Sequence, residues 1–235
     1  MYTRVKLLAS LASTVILSFP SVVFAQSGYP SRYYGIARNG TQQIQGGKFV
    51  ATINSLNSAW SSTNNQRLIN HTMWLPLDAA VWIEAGFTDG TFRDPDEASS
   101  SYYKGFYTSR GSLDSNGNLF GYVEEKIIGP STANNTTHTF TLQKGSATST
   151  WLVYINGVQR LTWLAVGNAQ GMDVGIETNT ANSTSAPWNE RNFQVYQNGV
   201  WSSWGSGSLP ISPTVGISVA WDVYPTSIRT SKVIP

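Results

Sequence analysis

Two stretches of this 235-residue chain place a carboxylate where a β-strand gives little reason for one. The first is V-W-I-E-A-G-F-T-D-G at Val81–Gly90, and the second is G-M-D-V-G-I-E-T-N at Gly171–Asn179. On a strand, side chains alternate between faces. Val81, Ile83, Ala85 and Phe87 then share a core face, and Trp82, Glu84, Gly86 and Thr88 share the other. In the second stretch Met172, Val174 and Ile176 turn inward, and Asp173, Gly175 and Glu177 turn outward. Mid-strand Glu is disfavoured by propensity, yet the pattern of Glu beside Gly occurs twice. Two neighbouring carboxyl groups do not ionise equally: one keeps its proton where the other has lost it. The ionised group can deprotonate water while the protonated one polarises a carbonyl or protonates a leaving group. That chemistry serves peptide hydrolysis and also glycoside hydrolysis.

The remaining acidic residues read as ordinary. Asp78, Asp89, Asp94, Asp96, Glu97, Asp114 and Glu190 fall in expected solvated turns. Glu124 and Glu125 are adjacent on a strand and face opposite sides, with at least one expected at the surface near Lys126. Asp222 sits late in the last expected strand. His71 and His138 are the two histidines and the chain has no cysteine. A thiol nucleophile, a Cys-ligated metal and a His-rich zinc site are thereby excluded, and a Ser-His-Asp triad would have to use one of these histidines. Each histidine reads as a structural strand residue. Neither a cofactor nor a metal is called for.

Charged residues are 12% of the chain, and nine Trp stand among abundant Ser, Thr, Asn and Gly. This composition points to a β-rich secreted protein. Residues 1–25 read as a secretory signal peptide: Arg4 and Lys6, an apolar run over Leu7–Val23, then small residues before cleavage after Ala25. The expected location is extracellular or periplasmic, with no membrane attachment once the leader is gone. Without Arg4 and Lys6 the basic and acidic side chains balance at 13 each, so nucleic acid is not an expected partner. Residues 26–47 read as a polar N-terminal arm or short propiece, and 48–235 as a single domain that works as a monomer.

The elements that must position the two Glu residues are short alternating runs. Strands are expected at Lys48–Ile53, Leu68–Leu75, Ala80–Thr88, Ser101–Thr108, Leu119–Ile128, Thr137–Gln143, Thr150–Ile155, Gln159–Leu164, Met172–Asn179, Asn192–Tyr196 and Thr214–Asp222. Turns are expected at Asp89-Gly90, Ser115-Asn116-Gly117, Asn156-Gly157 and Asn198-Gly199. Asn57–Leu68 fits a short helix or a loop, and no run has sustained helical spacing. The expected fold is all-β: an antiparallel β-sandwich of two curved sheets, concanavalin-like or jelly-roll, with few or no helices.

The run Trp82-Ile83-Glu84-Ala85-Gly86-Phe87 resembles the I-E-A-G-W segment of the neprosin-type glutamic endopeptidases. It also resembles the Q-A-G strand of the related eqolisins, where Gln replaces this Glu. His71-Thr72-Met73-Trp74-Leu75 stands where neprosins have a polar segment ending in Trp-Leu. Lys104-Gly105-Phe106-Tyr107-Thr108-Ser109-Arg110 is similar to their Y-W-T-R strand. Asp173-Val174-Gly175-Ile176-Glu177 falls where these families carry W-G-G-E or W-I-V-E, although Val174 replaces the Trp. The resemblance covers roughly Leu68 to Asp222. It implies a Glu84–Glu177 dyad in a concave groove that hydrolyses polypeptide without metal or cofactor. Plant neprosins carry a large N-terminal activation domain and cysteines; this sequence shows neither.

Trp82, Trp74, Tyr107 and Gly175 are the expected substrate-binding residues, the aromatics as walls that exclude water. Trp151, Trp163 and Trp221 read as core, and Trp201 and Trp204 as exposed. Two alternatives stay open. One is a non-catalytic secreted carbohydrate-binding sandwich that uses Trp and Tyr as sugar platforms. The other is a glycoside hydrolase using the same two carboxylates, although no E-x-D-x-x-E run is present.

Overall fold

The computed structural model describes residues 33–41, 43–77, 80–92, 101–114, 119–147, 149–209 and 216–235. The expected signal peptide, the Ser115-Asn116-Gly117 turn, Asp78, Asp94, Asp96 and Glu97 lie outside them. Two antiparallel sheets face each other. The six-stranded sheet runs β1 (Tyr33–Asn39), β11 (Met172–Thr178), β4 (Leu68–Pro76), β5 (Val81–Phe92), β6 (Ser101–Leu113), β7 (Leu119–Ile127). The nine-stranded sheet runs β10 (Val158–Leu164), β9 (Thr150–Ile155), β8 (Thr137–Lys144), β2 (Gly46–Thr52), β12 (Thr184–Gln197), β15 (Ser227–Lys232), β14 (Ile217–Val223). The short strands β3 (Leu56–Asn57) and β13 (Val200–Ser203) pair with β12. Among the described residues there is no helix, and Asn57–Leu68 is strand end and turns.

The core lies between the sheets. Met73, Leu75, Ile83, Ala85, Phe87, Val174 and Ile176 enter it from the six-stranded sheet. Phe49, Phe140, Trp151, Val153, Trp188 and Phe193 meet them from the other. Phe49 stacks on Phe140 at 4.7 Å between ring centroids, and Phe106 of the opposite sheet reaches Phe140 at 5.8 Å. Each such side chain, once fully buried, contributes about 1.5–3 kcal/mol. A core of this size explains how a chain without disulfides holds together. The outer face of the six-stranded sheet is therefore the face that carries Glu84.

The hairpin at Asn156-Gly157 is present, with φ of +55° and +75°, and Asn198-Gly199 repeats it at +52° and +82°. These are the left-handed conformations a two-residue turn needs, and Asn and Gly adopt them at least cost. Two expectations are corrected. The stretch 26–47 is not only an arm, because Tyr33–Asn39 pairs along its whole length with β11 and Gly46 opens β2. At Gly35 of this strand a Cβ would lie 2.4 Å from Ile217 of the facing sheet. Gly is present because two sheets meet there. The second correction concerns Asp89-Gly90, where β5 continues to Phe92. Asp89 stays in the strand because Ser58 donates to it from both backbone and hydroxyl, and the Lys104 ammonium lies 3.0 Å away.

Candidate active site

Register fixes which side chains share the outer face. One row across the sheet reads Arg38, Asp173, Trp74, Glu84, Ser109, Glu124. The next reads Ile36, Gly175, Thr72, Gly86, Tyr107, Lys126, and the third Tyr34, Glu177, Asn70, Thr88, Gly105. Glu84 and Glu177 thus lie on one face, opposite the core, as strand alternation requires. They are not paired neighbours: β4 runs between their strands and they stand two rows apart. Strands about 4.8 Å apart and a rise of about 3.4 Å per residue put their Cα atoms about 17 Å apart on a flat sheet.

Tyr107 occupies the row between them. Burial pushes its hydroxyl well above the usual phenol range, and the nearby charges of Glu84, Glu177 and Glu124 add to the effect. The hydroxyl is buried beside Thr72 and makes no hydrogen bond of ordinary geometry. Thr72 spends its own proton on the Ala85 carbonyl, at 3.0 Å. The flanking glycines have a steric cause. A Cβ on Gly86 would lie 2.2 Å from the His71 carbonyl oxygen, and one on Gly175 would lie 2.2 Å from that of Gly35. The result is a middle row with Thr72 between two positions that carry no side chain.

Glu84 and Glu177 are each only 2% exposed. Ser109 donates a short hydrogen bond to Glu84 Oε1 from the paired position on β6. The Tyr122 hydroxyl lies 3.2 Å from the same oxygen and 2.6 Å from Glu124 Oε1. Aromatic rings flank the carboxylates: Trp74 packs edge-on against Tyr34 at 6.1 Å, and Trp82 lies 6.3 Å from Tyr122. The Trp82 indole lies over Gly111, where any side chain would collide with it. Asp173, in the Glu84 row, accepts two hydrogen bonds from the Arg38 guanidinium at 2.7 and 2.6 Å. Burial raises the Asp173 carboxyl above its ordinary range, and Arg38 pulls it back down.

Several residues sit where sequence reasoning did not put them. Glu124, 6% exposed, is drawn beside Glu84. A pair of adjacent glutamates carries no signal of which one turns toward β5 and which toward the core side. Glu190, expected in a solvated turn, is fully buried between the sheets and bonds to His71 at 2.7 Å. Trp204 is buried against Phe193. Trp201 is half-buried and packs on Tyr196 at 5.1 Å, with the Lys48 ammonium 4.4 Å from its ring. The bulge in β12 beside these residues borders a hollow of about 350 Å³ lined by Lys48, Val50, Thr139, Asn192, Gln194, Ser203 and Thr226. Among the described residues no group of three or more His, Cys, Asp or Glu is arranged to hold a metal ion.

No family model and no curated protein sequence matches the chain. Solved structures do. The fold is similar to that of scytalido-glutamic peptidase with a transition-state-analogue inhibitor, at a TM-score of 0.56 and 9% identity over 86% of this chain and 98% of that one. A second structure of that enzyme, with a peptide-based transition-state analogue, gives 0.52 and 10% over the same shares. SCP-B, an eqolisin-family peptidase in complex with the tripeptide Ala-Ile-His, gives 0.48 and 9%, again over 86% and 98%. The chain has a glutamic-peptidase-like fold.

Proposed function

We propose that this protein is a secreted endopeptidase that acts in acid and hydrolyses peptide bonds with Glu84 and Glu177, without metal or cofactor. One observation carries the reading: on a glutamic-peptidase-like fold, both carboxylates lie on the same sheet face, with a hydroxyl lacking a hydrogen bond, that of Tyr107, within electrostatic reach of each. One carboxylate takes a proton from water as it adds to the peptide carbonyl, and the other gives its proton to the departing amine. The Tyr107 hydroxyl is free to donate to the oxygen that gains charge, which is where a fixed donor does most. Thr72 between Gly86 and Gly175 lets an extended peptide approach the sheet. Trp74 and Trp82 bound the site and keep water out. The neprosin-type assignment, secretion through residues 1–25 and action as a monomer on polypeptide belong to this same proposal.

The test is digestion of a denatured protein at acid pH. Glu84→Gln and Glu177→Gln should each lose about 10²–10⁴-fold in rate, the usual share of a general acid or base, while remaining folded. Activity should persist with a chelator present. Full activity in both variants would end the reading.

A second reading is favoured by the other sheet. The hollow offers the amides of Asn192 and Gln194, the Ser203 hydroxyl and the Lys48 ammonium, and Lys48 also lies 4.4 Å from the Trp201 ring, a platform of the kind that holds a sugar. Retention on an insoluble glycan, unchanged by both Glu substitutions and lost in Trp201→Ala, would establish it.

A further inference from the structure

The hollow on the nine-stranded sheet lies where the register between β2 and β12 slips, between Arg191 and Gln194. Asn192 in that bulge holds φ at +56°, a left-handed conformation that a residue with a side chain seldom takes within a strand. Bulges re-aim side chains. Here Asn192 and Gln194 both line the hollow, together with Lys48 of β2, Thr139 of β8 and Ser203 of β13. Among the described residues, the side chains of Lys48, Asn192, Gln194 and Ser203 make no hydrogen bond or ion pair within the protein. Arg38, Lys104 and Arg229 each face a carboxylate. Lys48 faces none, and partial burial lowers it from the usual lysine value with no opposing charge. We propose that this hollow binds one hexuronate unit of an acidic glycan, its carboxylate on the Lys48 ammonium and its hydroxyls on the Asn192 and Gln194 amides and the Ser203 hydroxyl.

Register sets the charge of this face. The row through Lys48 reads Thr141, Lys48, Gln194, Ser203, and the row beside it Thr139, Val50, Arg191. These rows hold two cations and no carboxylate, which favours an anion. An ammonium is a compact point charge suited to one carboxylate. Amides and hydroxyls both donate and accept, and so match the neighbouring hydroxyls of a sugar. Trp201 supplies the apolar part. Its ring lies over Gly46, where a Cβ would come 3.1 Å from it, and packs 5.1 Å from Tyr196 with the Lys48 ammonium 4.4 Å away. An indole fixed in this way is a platform for the C–H face of a pyranose. A volume of about 350 Å³ is at the small end of ligand sites and takes one ring with its substituents. A peptide carboxylate fits less well: β2, β8 and β12 are paired on both sides, so an extended chain finds no edge of theirs to join. The sugar rests on the second reading of this hollow, and the charge is new to it. Neither involves Glu84 or Glu177, which stand on the other sheet.

Calorimetric titration of the whole protein with trisaccharides of galacturonate, glucuronate and mannuronate, each beside its methyl ester, isolates the charge. At least one acid should bind about tenfold or more tighter than its ester, the worth of a charge-assisted hydrogen bond. Lys48→Met should abolish that preference while staying folded by circular dichroism, and Lys48→Arg should keep part of it. Trp201→Ala should weaken acid and ester alike. Glu84→Gln should bind as the parent does. Acetate at the same concentration should leave the sugar in place. Equal affinity for acid and ester, or a preference that survives Lys48→Met, overturns the inference and leaves a neutral sugar site. Displacement by acetate marks a bare anion site and overturns it as well. Binding of none of the six ligands ends both this inference and the sugar reading.

Discussion

The two faces of the six-stranded sheet hold two networks built from similar parts. Toward the nine-stranded sheet, His71 Nε2 lies 2.9 Å from Ser185 Oγ, and Nδ1 lies 2.7 Å from Glu190, which also accepts from Thr230 at 2.8 Å. Toward the outer face, Glu84 and Glu124 meet Ser109 and Tyr122. By residue type alone the first is the better candidate for catalysis, since serine, histidine and carboxylate in a chain make a nucleophile and its base. Its position decides otherwise. Ser185, His71 and Glu190 are 4%, 1% and 0% exposed, and Trp188 lies flat on the imidazole at 4.0 Å between ring centroids. No substrate carbonyl can reach that serine without the two sheets parting. The network ties β4 to β12 and β15, whereas the outer one ties β5 to β6 and β7 and faces away from the core. Which side of a strand a residue occupies outweighs what kind of residue it is.

Adjacent residues on β5 give the most severe trial of that contrast. Ile83 is fully buried in the core, and Ile83→Asp would put a carboxylate among apolar side chains, with Arg110 of β6 as its paired neighbour. The cost, several kcal/mol, is a large share of the about 5–15 kcal/mol that holds an ordinary domain together, so the variant should be largely unfolded by circular dichroism. Glu84→Gln, one residue along, should melt as a folded protein. A folded Ile83→Asp protein would reverse the assignment of faces and with it every functional statement about Glu84. Glu190→Ala comes next. It strips His71 and Thr230 of their shared acceptor in a dry interior and should cost about 3–5 kcal/mol, as breaking a buried polar pair does. Calorimetry should show the lower melting temperature, and the rate per folded molecule should stay at the parent value. A folded Glu190→Ala protein that has lost its activity would mean that the inner network acts on the outer one.

Much of this was legible in the sequence, and for a definite reason. Strand alternation alone put Ile83 inside and Glu84 outside, and it put Glu177 on the same face as Glu84 because both neighbours of β4 keep its phase. Asn156-Gly157 and Asn198-Gly199 announced their hairpins through the left-handed conformations those residues tolerate. What alternation cannot give is register. Nothing in the order of residues says that Glu84 stands two rows from Glu177 and in one row with Glu124. Nor does it place Glu190, a charge beside Asn and Arg in sequence, against a histidine more than a hundred residues away. β1 was missed because its stretch is polar and shows no alternation, and β15 because S-I-R-T-S-K is too polar to read as a strand. Both depend on contacts with the rest of the sheet.

The smallest effect separates the two networks by their response to pH. Asp173, on the outer face, is raised by burial and drawn back by Arg38, whose guanidinium is about one-third exposed. A carboxyl whose folded-state value lies above its unfolded one binds its proton more tightly when folded. Its contribution to stability is therefore fullest below the ordinary aspartate value and is lost as pH rises through the folded value. Arg38→Ala should raise Asp173 further and deepen that loss. The variant and its parent should differ little from Asp173 at low pH, where the carboxyl is protonated in both states. The gap should open as pH rises past the carboxylate range and level off at about 1–3 kcal/mol near neutrality, the cost of an unsatisfied buried charge. Arg38→Lys should recover only part of it, because an ammonium keeps the charge but not the two-pronged hydrogen bonding. Urea denaturation across a pH series measures the gap directly. If it were the same at every pH, Arg38 would be acting through packing of its stem alone, and the outer face would not hold its carboxylates by charge.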